Sequence, residues 1–122
     1  VRGATIVVLA VKPSGASNVL DEIRSDLGDE TLVISVLAGL TTEAIEARLG
    51  RELPVIRSMP NTPMMVDQGA TALSAGRFST EEHFGAARAL FDSVGIVEVV
   101  PEYLMDAVTG LSGSGPAYVY MF

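Results

Sequence analysis

Hydroxyl and glycine residues crowd into one stretch of the 122-residue chain, Asp106-Ala-Val-Thr-Gly-Leu-Ser-Gly-Ser-Gly-Pro-Ala-Tyr118. Thr109, Ser112 and Ser114 can donate or accept hydrogen bonds, and Gly113 and Gly115 let a ligand approach the main chain closely. Asp106 could accept hydrogen bonds from this stretch, or serve only as a first-turn acid favoured by the helix dipole. Leu104, Met105, Val108 and Leu111 recur at helical spacing and predict an amphipathic helix from near Glu102, just after Pro101. The glycines interrupt it, and Pro116 suits the first turn of a second piece running to Phe122. The expected form is a kinked helix with bare amides at the kink, a place for an anionic or polar group. The competing reading is a close helix-packing site in which Gly and Ser serve as small residues.

Such a stretch needs a frame, and the rest of the chain supplies one. Residues 5–11, 31–37 and 54–59 are apolar, β-branched runs that predict strands; the first two read as buried on both faces. Between them, helical spacing predicts helices over 17–27 and 43–49, the second capped by Thr41 or Thr42 and ended by Gly50. This β-α-β-α-β alternation predicts an α/β fold with a parallel, doubly wound sheet. Residues 60–64 carry two prolines and are expected to form a rigid loop. A strand over 69–75 follows, then a helix capped by Ser79 or Thr80 and ended by Gly95, then a strand over 96–100.

Ligands of parallel sheets sit beyond the carboxyl ends of the strands. Three such ends are expected on one edge: Ala10-Val-Lys-Pro13, Leu37-Ala-Gly39 and Ser58-Met-Pro-Asn-Thr-Pro63. Ala38 and Gly39 are small enough for a flat ring or sugar to approach, and Lys12 and Asn61 offer polar handles, which suits a nucleotide cofactor. Each also has a plain structural reading, as a solvated strand end, a turn or a stiff connection. No G-x-G-x-x-G joins the first predicted strand to the first helix.

Composition narrows the chemistry. A net charge of −7 argues against a nucleic-acid or anionic-membrane surface. With no cysteine and a single histidine, His83, no metal site is expected. The apolar run over 6–11 is far below the roughly 18 residues of a membrane span. The first residue is Val1 and residues 117–122 form an apolar segment with no polar cap, so the chain is expected to be a piece of a longer polypeptide.

Ala10-Val-Lys-Pro13, Ser35-Val-Leu-Ala-Gly-Leu-Thr41, Val55-Ile-Arg-Ser-Met-Pro-Asn-Thr-Pro63, Gly69-Ala-Thr71 and above all the 106–118 stretch resemble pyrroline-5-carboxylate reductase in order and spacing. The resemblance implies a partial Rossmann-like domain over 1–101, followed over 102–122 by the start of an all-helical dimerisation domain. It implies reduction of 1-pyrroline-5-carboxylate to L-proline, the last step of proline biosynthesis, with NADPH or NADH supplying the hydride. On the same ground Ala10, Val11, Lys12, Pro13, Ala38, Gly39, Met59, Pro60, Asn61 and Thr62 are cofactor-binding candidates. Ser112, Gly113, Ser114 and Gly115 are substrate-proximal candidates, and Thr109 is a candidate contact from the kinked helix. A cytoplasmic homodimer or higher homo-oligomer is implied. Family members also carry a glycine-rich phosphate loop and a substrate-carboxylate loop, expected before Val1 and after Phe122, so the chain alone is expected to be inactive. Two other readings stand beside this one: an NAD(P)-dependent reductase of the hydroxyacid-dehydrogenase type, and a non-catalytic assembly module.

Overall fold

The β-branched runs become the strands of one five-stranded sheet in the computed structural model, which describes residues 1–121. Its order is β1 (Ile6–Leu9), β2 (Leu32–Ser35), β3 (Val55–Met59), β4 (Gly69–Ala75) and β5 (Gly95–Val99). β1, β2 and β3 are parallel, in the register Val7↔Val33↔Val55. The rhythm of strands and helices expected from the sequence is therefore present over the first three strands.

The direction then reverses. β4 is antiparallel to β3, and β5 is parallel to β4. Only residues 60–68 join β3 to β4, fewer than the dozen or so that a parallel crossover needs. That connection is also not the irregular loop expected: Thr62–Val66 is a 3-10 helix with Pro63 in its first turn. A proline there forfeits no hydrogen bond, because the first amides of a helix have no internal partner.

Helices cover both faces. α1 (Ala16–Ile23) and α2 (Thr42–Leu49) bury Leu20, Ile45 and Leu49 against Val7, Leu9, Val33 and Val55. α3 (Glu81–Asp92) buries Ala87 and Phe91 against Ile34, Ile56, Leu73 and Val97 on the other face. Each of these apolar side chains other than Ala87 contributes about 1.5–3 kcal/mol on removal from water. α3 makes its main contacts with β3, β4 and β5, and on β1 its apolar cluster takes in Ile6 and leaves Val8 outside. Val8 is therefore 48% exposed, and β1 is not buried on both faces as its sequence suggested.

The caps are specific. The Thr41 hydroxyl accepts from Ala44 N at 3.2 Å, and Gly50 ends α2 at φ +64°. Thr80 caps α3 in a capping box completed by His83, whose Nδ1 accepts from the Thr80 amide at 3.0 Å. Gly95 does not end α3; it opens β5 at φ +155°, where a Cβ would lie 2.0 Å from the Gly69 carbonyl oxygen. Among the described residues no helix is long and apolar enough to cross a membrane.

Candidate active site

Because β1, β2 and β3 are parallel, the segments that follow them emerge on one edge of the sheet. Ala10, Val11, Lys12 and Pro13 follow β1 and are exposed, as are Ala38 and Gly39 after β2. Gly39 sits at φ +72°, a left-handed conformation that glycine adopts without steric cost, and a Cβ there would meet nothing within 4 Å. Pro60 and Asn61 follow β3 and are half-buried, and Thr62 is exposed. Met59 differs from these. It is 7% exposed and packs with Ala72 and Met105, so its side chain belongs to the core.

The glycine-rich stretch reaches the same edge by a return path. β5 descends toward the opposite edge, and Val100 N still donates to Leu73 O at 2.9 Å. After Pro101 the chain turns through a 3-10 helix, Glu102–Leu104, into α4 (Met105–Val108), a π-helix over Thr109–Gly113 and α5 (Gly115–Tyr120). The predicted interruption therefore takes the form of a π-turn, closed by Ser114 N donating to Thr109 O at 2.8 Å. Its backbone is less bare than the glycines suggested, since that amide is already paired.

Three contacts fasten this segment to β3 in ascending order. Arg57 Nη2 donates to Asp106 Oδ1 at 2.7 Å, and Arg57 Nη1 lies 3.7 Å from Glu102 Oε1. Met59 then packs on fully buried Met105. Last, Asn61 Nδ2 donates to Ser112 Oγ at 3.1 Å, while Asn61 Oδ1 accepts from Ala70 N at 2.8 Å. Asn61 thus uses both ends of its amide to hold the β3 loop, the start of β4 and the π-turn together.

Glu102 has a second task. Its carboxylate accepts from Thr42 N and from Thr42 Oγ1, both at 2.7 Å, at the first residue of α2. A carboxylate is favoured there by the unpaired amides of a helix start. The ties therefore run from Gly39's following helix through Glu102 to Arg57.

Of the remaining candidates, Thr109 donates its hydroxyl hydrogen to Met105 O at 2.8 Å, leaving its oxygen as an acceptor. Ser114 and Gly113 are exposed, Gly115 is half-buried, and a Cβ on Gly113 would meet open space. At Gly115 a Cβ would meet the Gly110 carbonyl at 3.0 Å, so the π-turn crowds that position from within. Arg57 was not singled out from the sequence, and Thr42 and Glu102 were named there only as a possible helix cap and a helix start. An arginine at the centre of a strand next to prolines gives one signal, a charge in a run otherwise fit for burial, which predicts a paired carboxylate elsewhere.

Comparison with known proteins gives this arrangement relatives. A family model described as NADP oxidoreductase, coenzyme F420-dependent, matches residues 1–39. Pyrroline-5-carboxylate reductase 2 of Bacillus subtilis is 46% identical over 117 residues, which cover 96% of this chain and 42% of that protein. The crystal structure of Plasmodium falciparum pyrroline carboxylate reductase with NADP bound superimposes with a TM-score of 0.92 at 36% identity, over 99% of this chain and 46% of that one. A Coxiella burnetii pyrroline-5-carboxylate reductase gives 0.87 at 38% identity, over 98% and 45%. Over nearly its whole length, and across less than half of theirs, the chain is thus similar in sequence and in fold to the pyrroline-5-carboxylate reductases.

Proposed function

We propose that the chain is the cofactor-side part of a longer NAD(P)H-dependent enzyme that reduces 1-pyrroline-5-carboxylate to L-proline. The observation that carries this reading is the Asn61–Ser112 bond. It joins the edge where three parallel strands end to the hydroxyl- and glycine-rich segment, two features a dinucleotide reductase needs side by side. The similarity to reductases of this name, one crystallised with NADP, supports it.

The residues present fit a dinucleotide. Ala38 and left-handed Gly39 leave open space at the end of β2, and exposed Lys12 stands at the end of β1. Ala10, Val11, Lys12, Pro13, Ala38, Gly39, Pro60, Asn61 and Thr62 would line the cofactor, with Met59 supporting them from below. The bound nicotinamide supplies a hydride, and the chain's own part is to fix its ring and the imine face to face. Asn61, fixed by Ser112 and Ala70, would hold the loop on the cofactor side, and Ser112, Gly113, Ser114 and Gly115 would form the substrate side. Thr109, its hydrogen committed to Met105, can only accept a hydrogen bond there. Residues 1–101 form the nucleotide-binding unit and residues 102–122 begin a helical unit through which copies associate, in a cytoplasmic enzyme.

The test is a direct assay of the intact polypeptide that carries this chain, following NADPH loss and proline appearance with 1-pyrroline-5-carboxylate as substrate. Proline formed in proportion to NADPH consumed supports the reading. NADPH binding without turnover points to a different reductase substrate, and an assembled protein that binds no dinucleotide overturns the reading in favour of an assembly role.

A further inference from the structure

Arg57 lies at the centre of β3 with its side chain 2% exposed. Its neighbours in register are Ser35 on β2 and Ser74 on β4. Directly opposed residues share a sheet face, so two small hydroxyl side chains flank the guanidinium and leave it room. Among the described residues its charge is met by Glu102, which opens the 3-10 helix, and Asp106, in the first turn of α4. The Nε atom is buried with no partner among the described residues.

This is a poor device for stability. A buried guanidinium with an unsatisfied donor costs desolvation, and its partners Glu102 and Asp106, 27% and 77% exposed, offset that only in part because water screens their charge. As a device for location it is effective. The cation accepts the 102–106 turn only where both carboxylates reach it, and the next two rungs, Met59–Met105 and Asn61–Ser112, follow from that placement. On the β3 side the first and last rungs lie four residues apart, two of them in the strand and two in the loop after it; on the other side they lie six residues apart along continuous helix, roughly 9 Å. Because the helix is continuous from Asp106 to Ser112, a shift at the first rung displaces the last.

We infer that Arg57 is a positioning residue for the reductase site: through Asp106 and Glu102 it sets where the Thr109–Gly113 turn stands against the Asn61 loop. This rests on the proposed reductase activity. The role is to place the substrate side over the cofactor side, with no contact between Arg57 and either ligand.

The test compares Asp106→Asn, Arg57→Lys and Arg57→Met in the intact enzyme. Asp106 has its side chain 77% exposed, so its asparagine variant keeps the fold and decides the question where Arg57→Met does not fold. Expected for Asp106→Asn is a fall in kcat of about 10-fold or more with NADPH affinity within about threefold of wild type, since a misplacement near 1 Å can cost on the order of 100-fold in rate. Arg57→Lys keeps the charge without the fork and falls between wild type and Arg57→Met. Wild-type kcat in both Asp106→Asn and Arg57→Lys overturns the inference, as does a lowered melting temperature with kcat unchanged. Where the wild-type enzyme makes no proline, the reductase reading fails, and amide hydrogen exchange judges the placement. Exchange at Ala70 and Ser114 at least about 10-fold faster in Asp106→Asn, with β2 unchanged, supports it; equal exchange overturns it.

Discussion

Met105 is the apolar rung between two polar ones, and truncating it separates the docking of the 102–113 segment from the stability of the sheet. Its side chain is fully buried against Met59 and Ala72, with Val100 and Val108 beside them. Met105→Ala removes three heavy atoms and leaves a cavity, for which buried Met-to-Ala changes cost about 2–5 kcal/mol. At about 3 kcal/mol the equilibrium for undocking moves by roughly 150-fold. None of the β1, β2 or β3 core residues packs on Met105 except Met59, so the loss should fall on the segment. Amide hydrogen exchange read by NMR measures it residue by residue. Ser114 N, bonded to Thr109 O, should exchange roughly 100-fold faster or more, while Val33 and Ile34 amides keep wild-type protection. Met105→Leu, of similar volume, should recover most of the protection, since such swaps cost under about 1.5 kcal/mol. Equal acceleration at Val33 and Ile34 would show that segment and sheet open as one unit. Unchanged exchange at Ser114 would show that the polar rungs alone hold the segment, and either result refutes the three-rung description.

Three further outcomes follow from the structure. Gly95→Ala forces a Cβ to within 2.0 Å of Gly69 O at φ +155°, so thermal melting should fall by on the order of 10 °C, from strain and overpacking of about 3 kcal/mol or more. His83→Ala removes the acceptor for Thr80 N and should cost about 1 kcal/mol in urea unfolding, with His83→Gln retaining most of it. The Arg2 hydrogen bond, then its charge, holds the Asp26 carboxyl below its ordinary value, so its contribution is present above about pH 4 and is lost as pH falls through the lowered folded value. Melting curves of wild type and Asp26→Asn should therefore differ at neutral pH and converge in acid, and added salt should shrink the difference because both groups are exposed.

The parts of the fold written in short-range pattern were legible. Continuous β-branched runs announced β1, β2 and β3, and Thr41 and Gly50 bounded α2 to within a residue. The reversal at β4 was hidden because strand direction depends on what residues 60–68 do. Two prolines read there as irregular, whereas one of them starts a 3-10 helix. Asn61 was visible as a candidate because a polar residue at a strand end stands out. Arg57 was not, because its meaning lies in Asp106, 49 residues on, and no local pattern records such a distance. The π-turn escaped for a related reason: two glycines and a proline mark an interruption, and only the surrounding packing decides that the ladder is widened by one residue there.

The spacing of the ties also fixes an order of events during synthesis. Arg57, Asn61 and Thr42 wait 49, 51 and 60 residues for their partners. At about 5–20 residues per second, the ribosome takes roughly 3–10 s to make up such a gap. Throughout that interval β3 exists with a cation at its centre and no carboxylate from this segment to meet it. The ties that seat the 102–113 segment on β3 therefore form only after the chain has returned over the strand, which makes their closure the last contact available to the sheet at this edge.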